Sequence, residues 1–386
     1  MNMTKKILHG LVCRTFAMAA IVLAVVVSCT KANPYEGLSL VLSGVPENMA
    51  AGESAQVSVS FSDAGVPSAA ATDKWMSLNP TVVSVTSEGD KASLKALKGG
   101  RAVILVYLAE CEQVSARASV EVAHEGDGVL RILAIGNSFS QDAVEQYLYE
   151  LFRNDGQEVI IGNLYIGGCD LQKHFNNISA DKAAYEYRKI VKGQKTNRKN
   201  VSISEALADE NWDYVSLQQA SGLSGKYETC SPYLPEILNY VRSRSRSDVK
   251  MIWHSTWAYS RTSDHADFPK YGNDQMTMYA AISDVAKKVM DNPAYSFDLL
   301  VPSGTAVQNG RTSSLGDTFN RDGYHLETTF GRYTAACTWY EAISGKNAED
   351  NGYAPSSVNA DKRRIARSAA HNAVQNPYSV TDMSAF

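Results

Sequence analysis

Residues 129–140 read Val129-Leu130-Arg131-Ile132-Leu133-Ala134-Ile135-Gly136-Asn137-Ser138-Phe139-Ser140. Val129–Ile135 is apolar except for Arg131, the composition of a strand buried on both faces of a parallel sheet. Gly136-Asn137 ends that run. From Ala143 to Phe152 the apolar residues Val144, Leu148 and Leu151 recur on one helical face. The stretch therefore predicts a strand, a tight turn and a helix. Ser138 falls on the turn, where its hydroxyl is exposed and the free N–H groups of a helix start can stabilise a developing oxyanion. The same position suits a serine that only caps the helix, and position alone does not choose between the two.

Outward from this stretch, Val159–Ile161, Tyr214–Leu217, Val249–Trp253 and Leu299–Val301 predict further buried strands. Pro232–Arg242, Thr277–Met290 and Asp361–Ala373 predict helices. Strand and helix alternating at this spacing predict an α/β domain over 125–386, with a parallel sheet covered by helices on both faces. In such sheets the site lies beyond the carboxyl ends of the strands, so the residues that follow each strand come first.

A serine nucleophile needs a base, and the base needs an orienting carboxylate. Asp322-Gly323-Tyr324-His325 supplies both after the last strand. On a turn, the carboxylate can accept the ring Nδ1–H and leave Nε2 facing a serine on a neighbouring strand. A surface ion pair has the same spacing.

Gly136-Asn137-Ser138 at the start of the domain and Asp322-x-x-His325 after its last strand together resemble the SGNH or GDSL-type hydrolases, over about 129–345. The resemblance implies a three-layer, flavodoxin-like α/β fold. It also implies Ser138 as nucleophile, His325 as general base and then acid, and Asp322 as its orienter. Asn137 stands where that family usually has aspartate, at a position that is not catalytic in it. The family's oxyanion glycine is matched by Gly168 in Ile166-Gly167-Gly168-Cys169-Asp170. Its Gly-x-Asn-Asp block is replaced by Leu217-Gln218-Gln219-Ala220-Ser221, which has no asparagine. Gln218 or Gln219 carries the same carboxamide donor on a longer stem. As neighbours at a strand end they face opposite ways, so only one can serve. The Gly136–Ser140 start and Leu217-Gln218-Gln219 also resemble a branch of these proteins found among bacterial surface lipoproteins.

Trp253-His254-Ser255-Thr256-Trp257-Ala258-Tyr259 follows the fourth strand, so His254, Trp257 and Tyr259 are candidates to contact substrate at the same rim. Packing of Trp253 in the core, with the rest as loop, reads equally well. Lys173 and His174 either line the pocket or are solvated. His254, Asp264, His265 and Asp267 are metal-ligand types, but they lack the tight spacing of a motif such as H-E-x-x-H, so no metal is expected. Gln308-Asn309-Gly310-Arg311 reads as a substrate contact or plain loop. Arg188, Lys189, Lys192, Lys195, Arg198 and Lys199 make a basic run, read as a solvated hairpin or loop rather than a nucleic-acid tract.

Upstream, residues 37–124 are strand-like. Leu38-Leu40-Leu42, Val57-Val59-Phe61 and Val83-Val85 alternate with polar residues, and glycines punctuate them. Trp75–Pro80, Val82–Val85 and Lys98–Val106 resemble a bacterial Ig-like domain of the group 2 type, which implies an all-β sandwich acting as spacer or adhesion module. Lys5, Lys6 and the apolar run Ala17–Val27, ending at Ser28-Cys29, predict a signal peptide over 1–28. This end resembles a lipobox, which implies lipidation of Cys29. Residues 29–36 then form a tether, and Thr30, not aspartate, favours the outer membrane.

The 386-residue chain carries a net charge of −4, or −7 without residues 1–28, which argues against sequence-independent binding of nucleic acid. Its six cysteines include no C-x-x-C pair. The expected function is an exported serine esterase that removes acyl groups, acetyl first among them, from carbohydrate, with no cofactor. The alternative is an inactive esterase-like lipoprotein that binds glycans or acts as an adhesin.

Overall fold

The computed structural model describes residues 39–62, 73–97, 99–109, 111–123 and 128–386. The signal peptide, Cys29, the tether and Glu125-Gly126-Asp127 of the linker lie outside the described residues. The described residues of 40–123 form eight strands: β1 (Leu40–Ser43), β2 (Asn48–Ala50), β3 (Ser54–Phe61), β4 (Asp73–Ser77), β5 (Val83–Glu88), β6 (Lys91–Ala96), β7 (Gly100–Leu108) and β8 (Cys111–Ala123). They pair into two four-stranded sheets, ordered β1-β3-β6-β5 and β2-β8-β7-β4. Every second side chain turns inward, as Ala102, Ile104, Val106 and Leu108 do on β7. Leu94 of one sheet and Ile104 and Val120 of the other meet in a common core.

Residues 129–301 supply a seven-stranded sheet from β9 (Val129–Gly136), β10 (Glu158–Tyr165), β11 (Tyr185–Val191), β12 (Gln194–Val201), β13 (Tyr214–Leu217), β14 (Lys250–His254) and β15 (Leu299–Val301). Its order is β12-β11-β10-β9-β13-β14-β15. Five neighbouring strands are parallel, while β11 and β12 add an antiparallel hairpin at one edge. Taken in chain order, the parallel strands run 2-1-3-4-5, the flavodoxin-like arrangement, whose switch point lies between β9 and β13.

Both faces of this sheet are covered. On β9, Ile132 and Ala134 enter one core and Leu133 and Ile135 the other, so the apolar run serves two layers at once. The first core is closed by α1 (Ser138–Val144), α2 (Leu148–Asn154), α7 (Ser303–Arg311), α8 (Phe330–Ser344) and α9 (Ala360–Gln375), and the second by α3 (Leu171–Ser179), α4 (Ile203–Asp209) and α5 (Tyr233–Arg244). The long helix α6 (Gln275–Asp291) contributes to both. Arg131, the exception in the run, is paired with Glu210 at 3.0 Å, which is how a half-buried charge is tolerated.

The helix expected over Ala143–Phe152 is instead two. Tyr147 separates α1 from α2 with φ of 75°, a left-handed conformation unusual for a bulky residue, and its buried ring packs edge-on to Tyr333. The basic run forms the β11–β12 hairpin and so joins the sheet. Gln308–Arg311 is neither loop nor substrate contact, because it lies buried on α7. Helix α8 is buried from Phe330 to Glu341 except at Arg332, and a helix covered on nearly all sides has no broad polar face to announce it.

Candidate active site

Strand β9 delivers the chain to its turn at the switch point. Asn137 is the N-cap of α1: its Oδ1 accepts from the N–H of Phe139 at 2.9 Å, and its Nδ2 donates to the carbonyl of Cys169 at 2.9 Å. The cap is therefore Asn137, which leaves Ser138 at the first helical position, half-buried and not used as a cap. Among the described residues, the N–H of Ser138 and that of Gly168 make no backbone hydrogen bond. Gly168 is exposed with φ of +61°, and a side chain there would meet nothing within 4 Å, so glycine is required by the turn.

His325 lies on a hairpin closed by the bridge between Asn320 and Leu326. Nδ1 of His325 donates to Oδ2 of Asp322 at 2.7 Å, while Oδ1 of Asp322 accepts from the N–H of His325 at 2.7 Å and of Tyr324 at 3.2 Å. Partial burial works against the charged form of Asp322, but these bonds outweigh it and hold the carboxyl below its usual range. The Nδ1 bond fixes the tautomer and leaves the Nε2 lone pair available. Gly323, at φ +88°, makes the turn and packs on Ser263.

Phe139, next to Ser138, has its ring centroid 5.9 Å from that of His325. Among the described residues no hydrogen bond joins Ser138 Oγ to His325 Nε2. The structure thus brings Ser138, Asp322, His325 and Gly168 to one end of the sheet.

The remaining expected site residues have other roles. Gln218 is buried: its Nε2 donates to Asn137 Oδ1 at 2.9 Å and its Oε1 accepts from Nδ1 of His254 at 2.8 Å. His254, also buried and lowered to about 3 by desolvation, completes a chain by accepting at Nε2 from Ser303 at 3.0 Å. Gln219 turns the other way, toward Leu171 and Thr229. Both amides bond groups that hold strand ends and turns together. Trp257 and Tyr259 are fully buried, so they are not rim residues. Trp257 stacks on Phe139 at 4.4 Å and donates to the carbonyl of Tyr324 at 2.7 Å, linking α1 to the base loop. Tyr259 bonds Ser221 at 2.9 Å. His174, expected to be solvated or to line the pocket, is buried against Tyr185. The four residues weighed as metal ligands do not converge, and among the described residues no group of three such side chains does.

One residue was not foreseen. Asp142, 1% exposed, faces Arg321 at 3.0 Å and Arg332 at 2.6 Å and accepts from the N–H of Leu326 at 2.8 Å. An acid four residues past the serine is an ordinary helix residue in sequence, and its partners lie some 180 positions away.

A search of curated proteins gave no match. Among solved structures, the chain is similar to a DUF4886 family protein from Bacteroides uniformis, with 49% identity, a TM-score of 0.65, and coverage of 66% of this chain and 98% of that one. Looser likenesses are to TesA (15% identity, 56% of this chain and 98% of that, TM-score 0.37) and to LAE5, described as an alpha/beta hydrolase enzyme from the metagenome of Lake Arreo, Spain (11%, 56% and 95%, TM-score 0.37). Overlaps that loose bear no functional argument. The family described as domain of unknown function DUF4886 matches residues 131–373, nearly the whole α/β domain, and the chain belongs to that family.

Proposed function

We propose that the chain is a serine ester hydrolase of SGNH type that removes acyl groups, acetyl first among them, from carbohydrate. The observation that carries this reading is the Asp322–His325 pair at 2.7 Å, held against the residue that follows Ser138 at the switch point of the sheet. Ser138 Oγ attacks the ester carbonyl and passes its proton to Nε2 of His325, while Asp322 stabilises the imidazolium. The N–H groups of Ser138 and Gly168 receive the oxyanion. His325 then protonates the leaving alcohol, and in the second half it activates water to release the acyl group from Ser138.

The substrate class rests on the expected export, the lipid on Cys29 with outer-membrane placement, and an Ig-like group 2 spacer over 37–124. The two β-sheets of 40–123 support the last of these. The engagement of both glutamines elsewhere leaves two backbone donors for the oxyanion, and this favours, as the second reading, a glycan-binding or adhesion lipoprotein with a retired site. A fluorophosphonate probe separates the two. The esterase reading expects stoichiometric labelling at Ser138, lost in Ser138→Ala, and absence of labelling at any probe concentration supports the retired site.

A further inference from the structure

Tyr165 closes β10 opposite Gly136, one strand away from the nucleophile turn and at its level. Alternate residues of a strand share a face. Asn163, two positions earlier, meets Ser140 Oγ at 2.9 Å and Glu145 at 2.6 Å, both on the α1 side, so Tyr165 also projects on the α1 side of the sheet. Its ring is half-exposed and its hydroxyl makes no hydrogen bond among the described residues. A methyl group on Gly167 would lie 3.4 Å from that oxygen, which places the hydroxyl at the turn that presents Gly168.

The ring does not stand alone. The guanidinium of Arg188 lies 3.8 Å from its centroid and is pinned by Glu145 at 3.2 Å and Glu186 at 2.9 Å. Lys195 pairs with Glu145 and Asn197 with Glu186. The two acids and two bases cancel, so this wall offers hydrogen bonds and a ring without net attraction for a charged group. It is also too polar to receive an acyl methyl. None of its members takes part in the triad.

We propose that Tyr165, backed by Arg188, is the subsite for the alcohol part of the ester, a neutral polyhydroxyl group such as a sugar ring. The inference rests on the esterase reading and deepens it. The test compares an acetylated methyl xyloside with 4-nitrophenyl acetate on the full chain and on Tyr165→Phe, which keeps the ring. The ratio of the two kcat/KM values should fall about tenfold in the variant, the effect of one lost hydrogen bond. An unchanged ratio would overturn the subsite while the esterase stands. If the full chain hydrolyses neither ester, the esterase reading fails first, and titration with unacetylated methyl xyloside decides the subsite: weaker binding to Tyr165→Phe supports it and equal binding overturns it.

Discussion

The N–H of Leu326 donates to Oδ2 of Asp142 at 2.8 Å, and that bond joins the helix that starts at Ser138 to the loop that carries His325. Arg321 and Arg332 converge on the same carboxylate, so the position of His325 relative to Ser138 depends on one buried acid. Asp142→Ala takes the shared carboxylate from two arginines and a backbone donor, although Arg332 keeps Gln146 and Arg321 keeps the carbonyl of Leu326. Breaking a buried ion pair from one side costs about 3–5 kcal/mol, and urea unfolding should show a loss of that size. Asp142→Asn keeps an acceptor for Leu326 and should lose less. Equal stability of wild type and Asp142→Ala would show that the clamp is not formed.

Gln218 bonds Asn137 on one side and His254 on the other. Removing its amide in Gln218→Ala strands Nδ1 of His254 in the interior, at about 1–3 kcal/mol, while Oδ1 of Asn137 keeps the N–H of Phe139. The expected outcome is a lower urea midpoint together with a lower kcat. A variant with native stability and reduced kcat alone would return Gln218 to the oxyanion.

His174 and His254 stay neutral in the fold until pH falls to about 3, because burial disfavours their charged forms. In the unfolded chain each takes a proton near pH 6.5, the ordinary value. Between those limits the unfolded state binds more protons, so stability falls as pH drops, by about 1.4 kcal/mol per pH unit for each imidazole. Urea titrations at pH 7, 6, 5 and 4 should show this slope, reduced by about one proton in His254→Gln. An identical slope in the variant would place the His254 proton elsewhere.

The parts legible in sequence are those set by local rules. Val129–Ile135 was readable because a strand buried on two faces must be apolar throughout, and Asp322 with His325 because a turn brings positions three apart together. Adjacent Gln218 and Gln219 do diverge, as strand geometry demands, but which groups they meet depends on Asn137, His254 and Thr229 from other strands and loops. Trp257 and Tyr259 follow a strand as rim residues would, yet the long connection after β14 folds inward over α1 and buries them. Asp142 stayed hidden for the same reason: its meaning lies in arginines brought to it by tertiary structure.

The most direct test of the central claim is hydrolysis of 4-nitrophenyl acetate by the purified chain, with Ser138→Ala alongside. The account predicts turnover that falls by on the order of 10³ or more in the variant, as loss of a triad nucleophile does elsewhere. Equal rates for the two proteins would contradict it.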